Sequence, residues 1–300
     1  MATRKKKKFV LTSANYFSGE RPHISNSQVT DFLRSREFFW RKYILKEIPF
    51  ETTANMRIGS MTDDMLCGKP PRFQVRVLKR DDPDLYAVQQ GLPSELLVTE
   101  REWNEATSHA KAIMREPCYK WYAENGAKFQ FLLQGDWNGI PICGMADVLT
   151  VTKDTIYVDD FKIVSKLKIA SLAKWFYNAE FMGYFRQLAA YKFIWQQMNP
   201  GDSRPVVTRH LISAKETEGL YKVLPIIIPE EFLEGPLQEF KLGVEGIASL
   251  LKTKDWNDPP VRWEDAKELP NPRTKEDDED EEYIADDEIY YLYEDDEKTE

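Results

Sequence analysis

The segment GMADVLTVTKDTIYVDDFK, residues 144–162, holds the residue types best suited to chemistry in this chain. Lys153-Asp154 reads as a two-residue hairpin loop, and that register sets Asp147 directly opposite Asp160. Cross-strand partners share a face, and Lys162, two residues beyond Asp160, shares it too. Two carboxylates and an ammonium thereby converge from two short strands. A one-residue slip would disperse them. Asp159 points to the opposite face and stands outside the cluster.

Two carboxylates about 5 Å apart bind Mg²⁺ or Mn²⁺ through oxygen. Such a cation acidifies water and stabilises charge on a phosphorane-like transition state. The lysine orients or deprotonates the attacking water, or offsets phosphate charge. A nearby dication and partial burial both depress its pKa. Taken alone, the cluster also fits a solvated sheet face with an ordinary salt bridge. Gln187 and Tyr191, four apart in YFRQLAAYKF, share one face of a helix. Their amide and hydroxyl are placed to orient the lysine, the water or a phosphate. The plain alternative is a half-buried tyrosine beside a surface glutamine.

The elements that must carry these residues follow from pattern. Ser25 or Ser27 caps a helix beginning near Gln28, with Val29, Phe32, Leu33, Phe39, Trp40, Tyr43 and Ile44 at helical spacing. Residues 68–97, rich in proline, read as irregular. Thr99 and Glu102 form a capping box for a helix to about Arg115, with a short turn at 118–124. Three strands follow, near 128–135, 140–152 and 155–163, the first two joined by Asn138-Gly139 and the second bent at Gly144. One long helix is expected over 170–199, strands near 206–213 and 221–228, and a last helix over 230–253. His23, His109 and His210 show no metal spacing and stand outside the site. The aromatic run Trp175, Phe176, Tyr177, Phe181, Tyr184 and Phe185 reads as helix packing.

In this order the motifs resemble the PD-(D/E)XK nuclease superfamily, in its RecB-like branch with a Q-x-x-x-Y helix. Asp147 matches the first motif aspartate within G-x-x-D, Asp160 and Lys162 match D-x-K, and Gln187 and Tyr191 match Q-x-x-x-Y. Ser165 lies in the small-hydroxyl position that follows D-x-K. ISNSQVTDFLRSREFFWRKYI resembles the first helix of that branch, and IGSMTDDML its G-x-x-x-H segment. The branch's ligating histidine is Asp63 here, and its literal proline is Ala146. Asp64, one residue on, is expected to point elsewhere. The glutamate that often opens the first strand is Gln130.

The resemblance implies an α/β fold: a restriction-endonuclease-like core of about five mixed strands between helices. It implies a metal-dependent deoxyribonuclease similar to phage exonuclease VIII-type proteins, acting in recombination or replication. It further implies Asp63, Asp147, Asp160 and Phe161 as ligands of Mg²⁺ or Mn²⁺, and catalytic roles for Asp147, Asp160, Lys162, Gln187 and Tyr191. DNA, a single-strand-annealing recombination protein and a homo-oligomer are the implied partners. The histidine-to-Asp63 change leaves open a degenerate nuclease fold that only binds DNA or a protein.

Composition sets the limits. The 300 residues are 42% hydrophobic and 13% aromatic, enough for a sizeable core, which excludes a wholly disordered chain. Three dispersed cysteines, Cys67, Cys118 and Cys143, argue for a reducing compartment and against an iron–sulfur cluster held by four cysteines. No apolar run reaches the roughly 18 residues of a membrane helix, and MATRKKKKF has no apolar segment behind it, so a cytoplasmic location is expected. Residues 264–300 hold 18 acidic and 4 basic residues, net −14, while residues 1–263 are net +5. A basic arm over 1–22, a nuclease domain over 23–254 and an acidic, disordered linker and tail over 255–300 are the expected divisions. Ile284, Ile289, Tyr290, Tyr291, Leu292 and Tyr293 within the tail suggest either a docking peptide or a mimic of a nucleic-acid strand; simple solvation is the plain alternative.

Overall fold

The computed structural model describes residues 10–12, 16, 22–50, 52–68, 74–87, 95–164, 172–217 and 219–258. The basic run Arg4–Lys8, Ser165 and the acidic tail lie outside the described residues. Ser25 opens α1 (Asn26–Arg34), where Gln28 Oε1 reaches back to accept the Ser25 backbone N–H at 3.0 Å. Ser35 starts the chain again: its hydroxyl accepts the Phe38 N–H at 3.0 Å and opens α2 (Arg36–Phe39), which runs into a π-helical turn, Trp40–Ile44. The helix α3 (Ala54–Cys67) stops at Gly68, in the left-handed conformation at φ 60°.

The stretch read as irregular holds two short strands, β1 (Gln74–Leu78) and β2 (Glu95–Thr99), paired in parallel. Five residues between prolines carry too little alternation to announce a strand. The expected capping box forms at α4 (Glu100–Arg115), with Glu102 N donating to Thr99 Oγ1 at 3.2 Å and Thr99 N to Glu102 Oε2 at 2.8 Å. Pro117 opens α5 (Pro117–Glu124) rather than only ending its predecessor.

The main sheet contains β3 (Lys128–Trp137), β4 (Ile140–Val151), β5 (Ile156–Val164), β6 (Val206–Thr217) and β7 (Leu220–Ile228), in that spatial order. Asn138 and Gly139, at φ 52° and 81°, supply the left-handed pair that a two-residue hairpin needs. Only β5 and β6 are parallel, and α6 (Leu172–Phe181) and α7 (Tyr184–Met198) form the crossover between them. The single helix expected over 170–199 is two, broken at Gly183 (φ 69°), where a Cβ would meet Arg186 Nη2 at 2.4 Å. A 3₁₀ turn, Glu230–Phe232, precedes α8 (Glu234–Thr253).

Helices cover both sheet faces, as the α/β reading expects. One core joins α1, α7 and α8 to the sheet through Val29, Ile142, Leu188, Ile194, Ile212 and Phe240. On the other face Leu66, Ile113 and Tyr122 from α3, α4 and α5 pack on Val148, Phe161 and Leu211 of the sheet. Two terminal stretches are more anchored than their composition suggests. Leu11 and Tyr16 are buried with Cys143 and Met145. Trp256 stacks on Phe39 at 5.7 Å, and Asp258 accepts from the Ser35 hydroxyl and the Arg36 N–H, both at 2.6 Å.

Candidate active site

The site lies where two strands part. β4 and β5 pair from Val151–Ile156 to Val148–Asp159, the register expected from the Lys153-Asp154 turn. Beyond that pair β4 stays with β3 while β5 runs on with β6 to Val164. Asp147 and Asp160 are the first residues past the fork. Instead of a backbone pair, Asp147 Oδ2 accepts the Phe161 N–H at 2.7 Å, so the side chain fills the opening gap.

The bend in β4 is at Asp147, not at Gly144. Phe129 and Val148 pack in the core beneath α3, α4 and α5, whereas Phe131 and Ala146 pack in the core beneath α7. A regular strand keeps i and i+2 on one face. Both strands therefore change face at Gln130 and Asp147, which stand opposite each other and are left out of an otherwise continuous ladder. Gln130 takes φ 48° to do so. Gly144 serves a different purpose: a Cβ there would meet Tyr191 Cε1 at 2.4 Å, so the glycine admits the tyrosine ring against the strand.

Lys162, Gln187 and Tyr191 join Asp160 in one network. Lys162 Nζ lies 2.6 Å from Asp160 Oδ2 and donates to Gln187 Oε1 at 3.1 Å. Gln187 Nε2 donates to Asp160 Oδ1 and to Tyr191 Oη, both at 2.8 Å. This amide orientation satisfies both ends of the glutamine, since the reverse would set its N–H groups against the ammonium. The Tyr184 ring caps Lys162 Nζ at 4.0 Å from its centroid.

The electrostatics divide the two aspartates. Burial, then the charges of Asp63 and Asp160, push the Asp147 carboxyl well above its ordinary value. Burial acts the same way on Asp160, but Lys162 and His210 outweigh it and hold that carboxyl below its ordinary value. Burial opposes the Lys162 ammonium, yet Asp160, Tyr184 and Asp147 outweigh it, so the pKa is raised. Sequence reasoning weighed depressing influences only; among the protein's own groups the carboxylates reverse the sign. Among these groups the charged ammonium form of Lys162 is the favoured one. Burial also raises the Tyr191 hydroxyl, which stays protonated.

The structure thus brings Asp147, Asp160, Lys162, Gln187 and Tyr191 together, with Phe161 supplying backbone between the two aspartates. Asp63, half-buried on α3, lies within electrostatic reach of Asp147. Asp64 does not simply turn away: its Oδ1 accepts Gln130 Nε2 at 3.3 Å, and Gln130 faces Asp147. Asp159 is on the far face as expected, bound by Arg209 through Nε at 2.6 Å and Nη2 at 2.5 Å. His210, set aside in the sequence reading, is a missed neighbour: its Nδ1 is 3.4 Å from Asp160 Oδ2. The aromatic run is only partly packing. Trp175 and Phe185 are buried, but Tyr177 and Phe181 are 62% and 87% exposed. Spacing shows which rings share a face and not whether a neighbour covers it.

The donor set suits a hard divalent cation. Asp147, half-buried where the strands part, is repelled by the Asp63 and Asp160 carboxylates, and its Oδ2 accepts the Phe161 N–H. A dication would relieve that repulsion. Among the described residues, no three His, Cys, Asp or Glu side chains already stand around a common point at coordinating distance. Among them, too, no helix is long and apolar enough to cross a membrane.

No family model and no curated protein matches the chain in sequence. The crystal structure of a protein named SSO0001 overlaps it only at TM-score 0.27 and 15% identity, over 55% of this chain and 73% of that one. A protein from Eubacterium rectale named as a candidate exonuclease superimposes at TM-score 0.60 and 18% identity, covering 90% of this chain and 98% of that one. The two chains therefore share a fold over almost their whole length.

Proposed function

We propose that this chain is a Mg²⁺- or Mn²⁺-dependent deoxyribonuclease that hydrolyses DNA phosphodiester bonds, acting as a phage-type exonuclease in recombination or replication. The observation that carries the reading is the fork itself: Asp147 and Asp160 are the first residues past it, Asp147 accepts the Phe161 N–H, and Lys162, Gln187 and Tyr191 are bonded into one network with Asp160. The fold shared with a candidate exonuclease supports it.

In this reading Asp147, Asp160 and the Phe161 carbonyl hold the cation, with Asp63 at the edge of the site. The cation supplies Lewis acidity to the attacking water and the scissile phosphate. Lys162 places a positive charge beside the phosphate and orients the water. Gln187 fixes both Lys162 and Asp160, and Tyr191 fixes Gln187. A single-strand-annealing protein, a homo-oligomer and a cytoplasmic setting belong to the same proposal.

The test is incubation of the purified chain with linear duplex DNA and Mg²⁺ or Mn²⁺, with EDTA as control. Asp147→Ala and Asp160→Ala abolish cleavage, and Lys162→Ala removes turnover while DNA binding persists. Normal cleavage by either aspartate variant sinks the assignment. One observation favours a second reading, a degenerate nuclease fold that only binds DNA or protein: Asp63 stands where the resembled branch has its histidine. Metal-independent DNA binding without cleavage is its signature.

A further inference from the structure

His210 stands beside Asp160 across the parallel β5–β6 pairing. Its ring is fully buried, and Nδ1 lies 3.4 Å from Asp160 Oδ2, long for a hydrogen bond. Trp175 and Tyr184 flank the imidazole at centroid distances of 5.9 and 6.1 Å, both near edge-on. Neither ring nitrogen meets a hydrogen-bond partner within ordinary limits among the described residues. Burying such a group costs stability. An apolar side chain would fill the same aromatic box without that penalty, so packing does not account for a histidine here.

The oxygen beside His210 is the one that Lys162 holds at 2.6 Å. A dication on Asp160 and the Lys162 ammonium would repel each other and compete for that oxygen. Gln187 already holds Oδ1 at 2.8 Å. Oδ2 would then be left with His210 as its neighbouring donor.

We propose that His210 is a positioning residue, which holds the Asp160 carboxylate in its ligating orientation through an Nδ1–H bond once Lys162 turns toward the substrate. The proposal rests on the nuclease reading and adds to it the group behind the ligand. Hydrogen-bond partners of ligating carboxylates typically change metal affinity by about 10- to 100-fold.

The experiment titrates the full chain with Mn²⁺ alone by calorimetry and records thermal melting beside it. His210→Leu fills the aromatic box but removes the donor. His210→Asn keeps a nitrogen near the Nδ1 position but leaves a void where the ring was. The two readouts should cross. The leucine variant melts at or above the asparagine variant, yet loses about tenfold or more in Mn²⁺ affinity, while the asparagine variant stays within about threefold of the parent. Affinity that follows melting temperature, equal losses in both variants, or no change in either overturns the proposal. Should His210→Leu fail to fold, His210→Met carries the same comparison. If the parent chain itself binds no Mn²⁺, the nuclease reading fails and this proposal with it; parent binding with uncrossed readouts sinks His210 alone.

Discussion

Replacing Gly144 by alanine drives a methyl group into the Tyr191 ring. The new Cβ would lie 2.4 Å from Cε1 and 2.6 Å from Cδ1. That is about 1 Å inside ordinary carbon–carbon contact. The ring has little room to retreat, because Leu188, Ala190 and Ile194 around it on α7 are fully buried. Overpacking of this kind costs about 1–3 kcal/mol, which lowers the melting midpoint of a domain this size by roughly 2–10 °C. The hydroxyl moves with the ring and opens the 2.8 Å bond from Gln187, the residue that also holds Lys162 and Asp160. A displacement near 1 Å in such a network lowers turnover by about 100-fold. The assay is thermal melting alongside Mn²⁺-dependent release of nucleotides from end-labelled linear duplex. Tyr191→Phe, which keeps the ring and drops the hydroxyl, separates packing from hydrogen bonding. Combining Gly144→Ala with Tyr191→Leu recovers part of the melting loss, because a smaller side chain accommodates the methyl, while cleavage stays low. If Gly144→Ala melts within about 1 °C of the parent and cleaves normally, the ring does not pack as argued and the reasoning is refuted.

His109 is buried, bonded through Nδ1 to Ser213 Oγ at 2.8 Å, and burial followed by the Lys215 charge lowers its pKa to about 4. A histidine depressed in the folded state stabilises the fold above its unfolded value and loses that contribution as pH falls from about 6.5 to about 4, here roughly 3 kcal/mol; urea unfolding at pH 7 and pH 4 should show a loss of that order, smaller in His109→Gln. Arg209→Met strands the Asp159 carboxylate, fully buried behind the site, and should cost about 3–5 kcal/mol, most of it recovered by adding Asp159→Leu; a loss under about 1 kcal/mol in chemical denaturation counts against a buried pair. Asp63→His should tighten Mn²⁺ more than Mg²⁺, since imidazole suits the softer ion, and equal calorimetric constants for parent and variant would remove Asp63 from the ligand set.

The hairpin that carries Asp147, Asp160 and Lys162 was legible in the residues because a two-residue turn leaves an antiparallel pair one register, and alternation does the rest. Thr99 with Glu102 and the Asn138-Gly139 turn were legible for the same reason, since each signal acts over three or four residues; the cap before α1 was narrowed to Ser25 or Ser27, and the fold chose Ser25 with Gln28 as its partner. Gln187 and Tyr191 needed only the pitch of a helix. The tertiary structure alone decided what crosses between elements. Nothing in the chain sets the register of the parallel β5–β6 pair, so nothing announced that His210 would lie against Asp160. The change of face at Gln130 and Asp147 is a backbone event shared by two strands, and Gln130, a residue type that seldom takes the left-handed region, gave no sign of it. Gly144 looked like a hinge and is a contact surface, because the ring that needs its missing Cβ comes from a helix far along the chain. The raised pKa of Lys162 likewise depended on distance: residue types foretold burial, but the balance against it was set by how close Asp160, Tyr184 and Asp147 were brought. Local geometry propagates along the backbone and can be read there, whereas electrostatics and close packing depend on separations through space that only the folded chain defines.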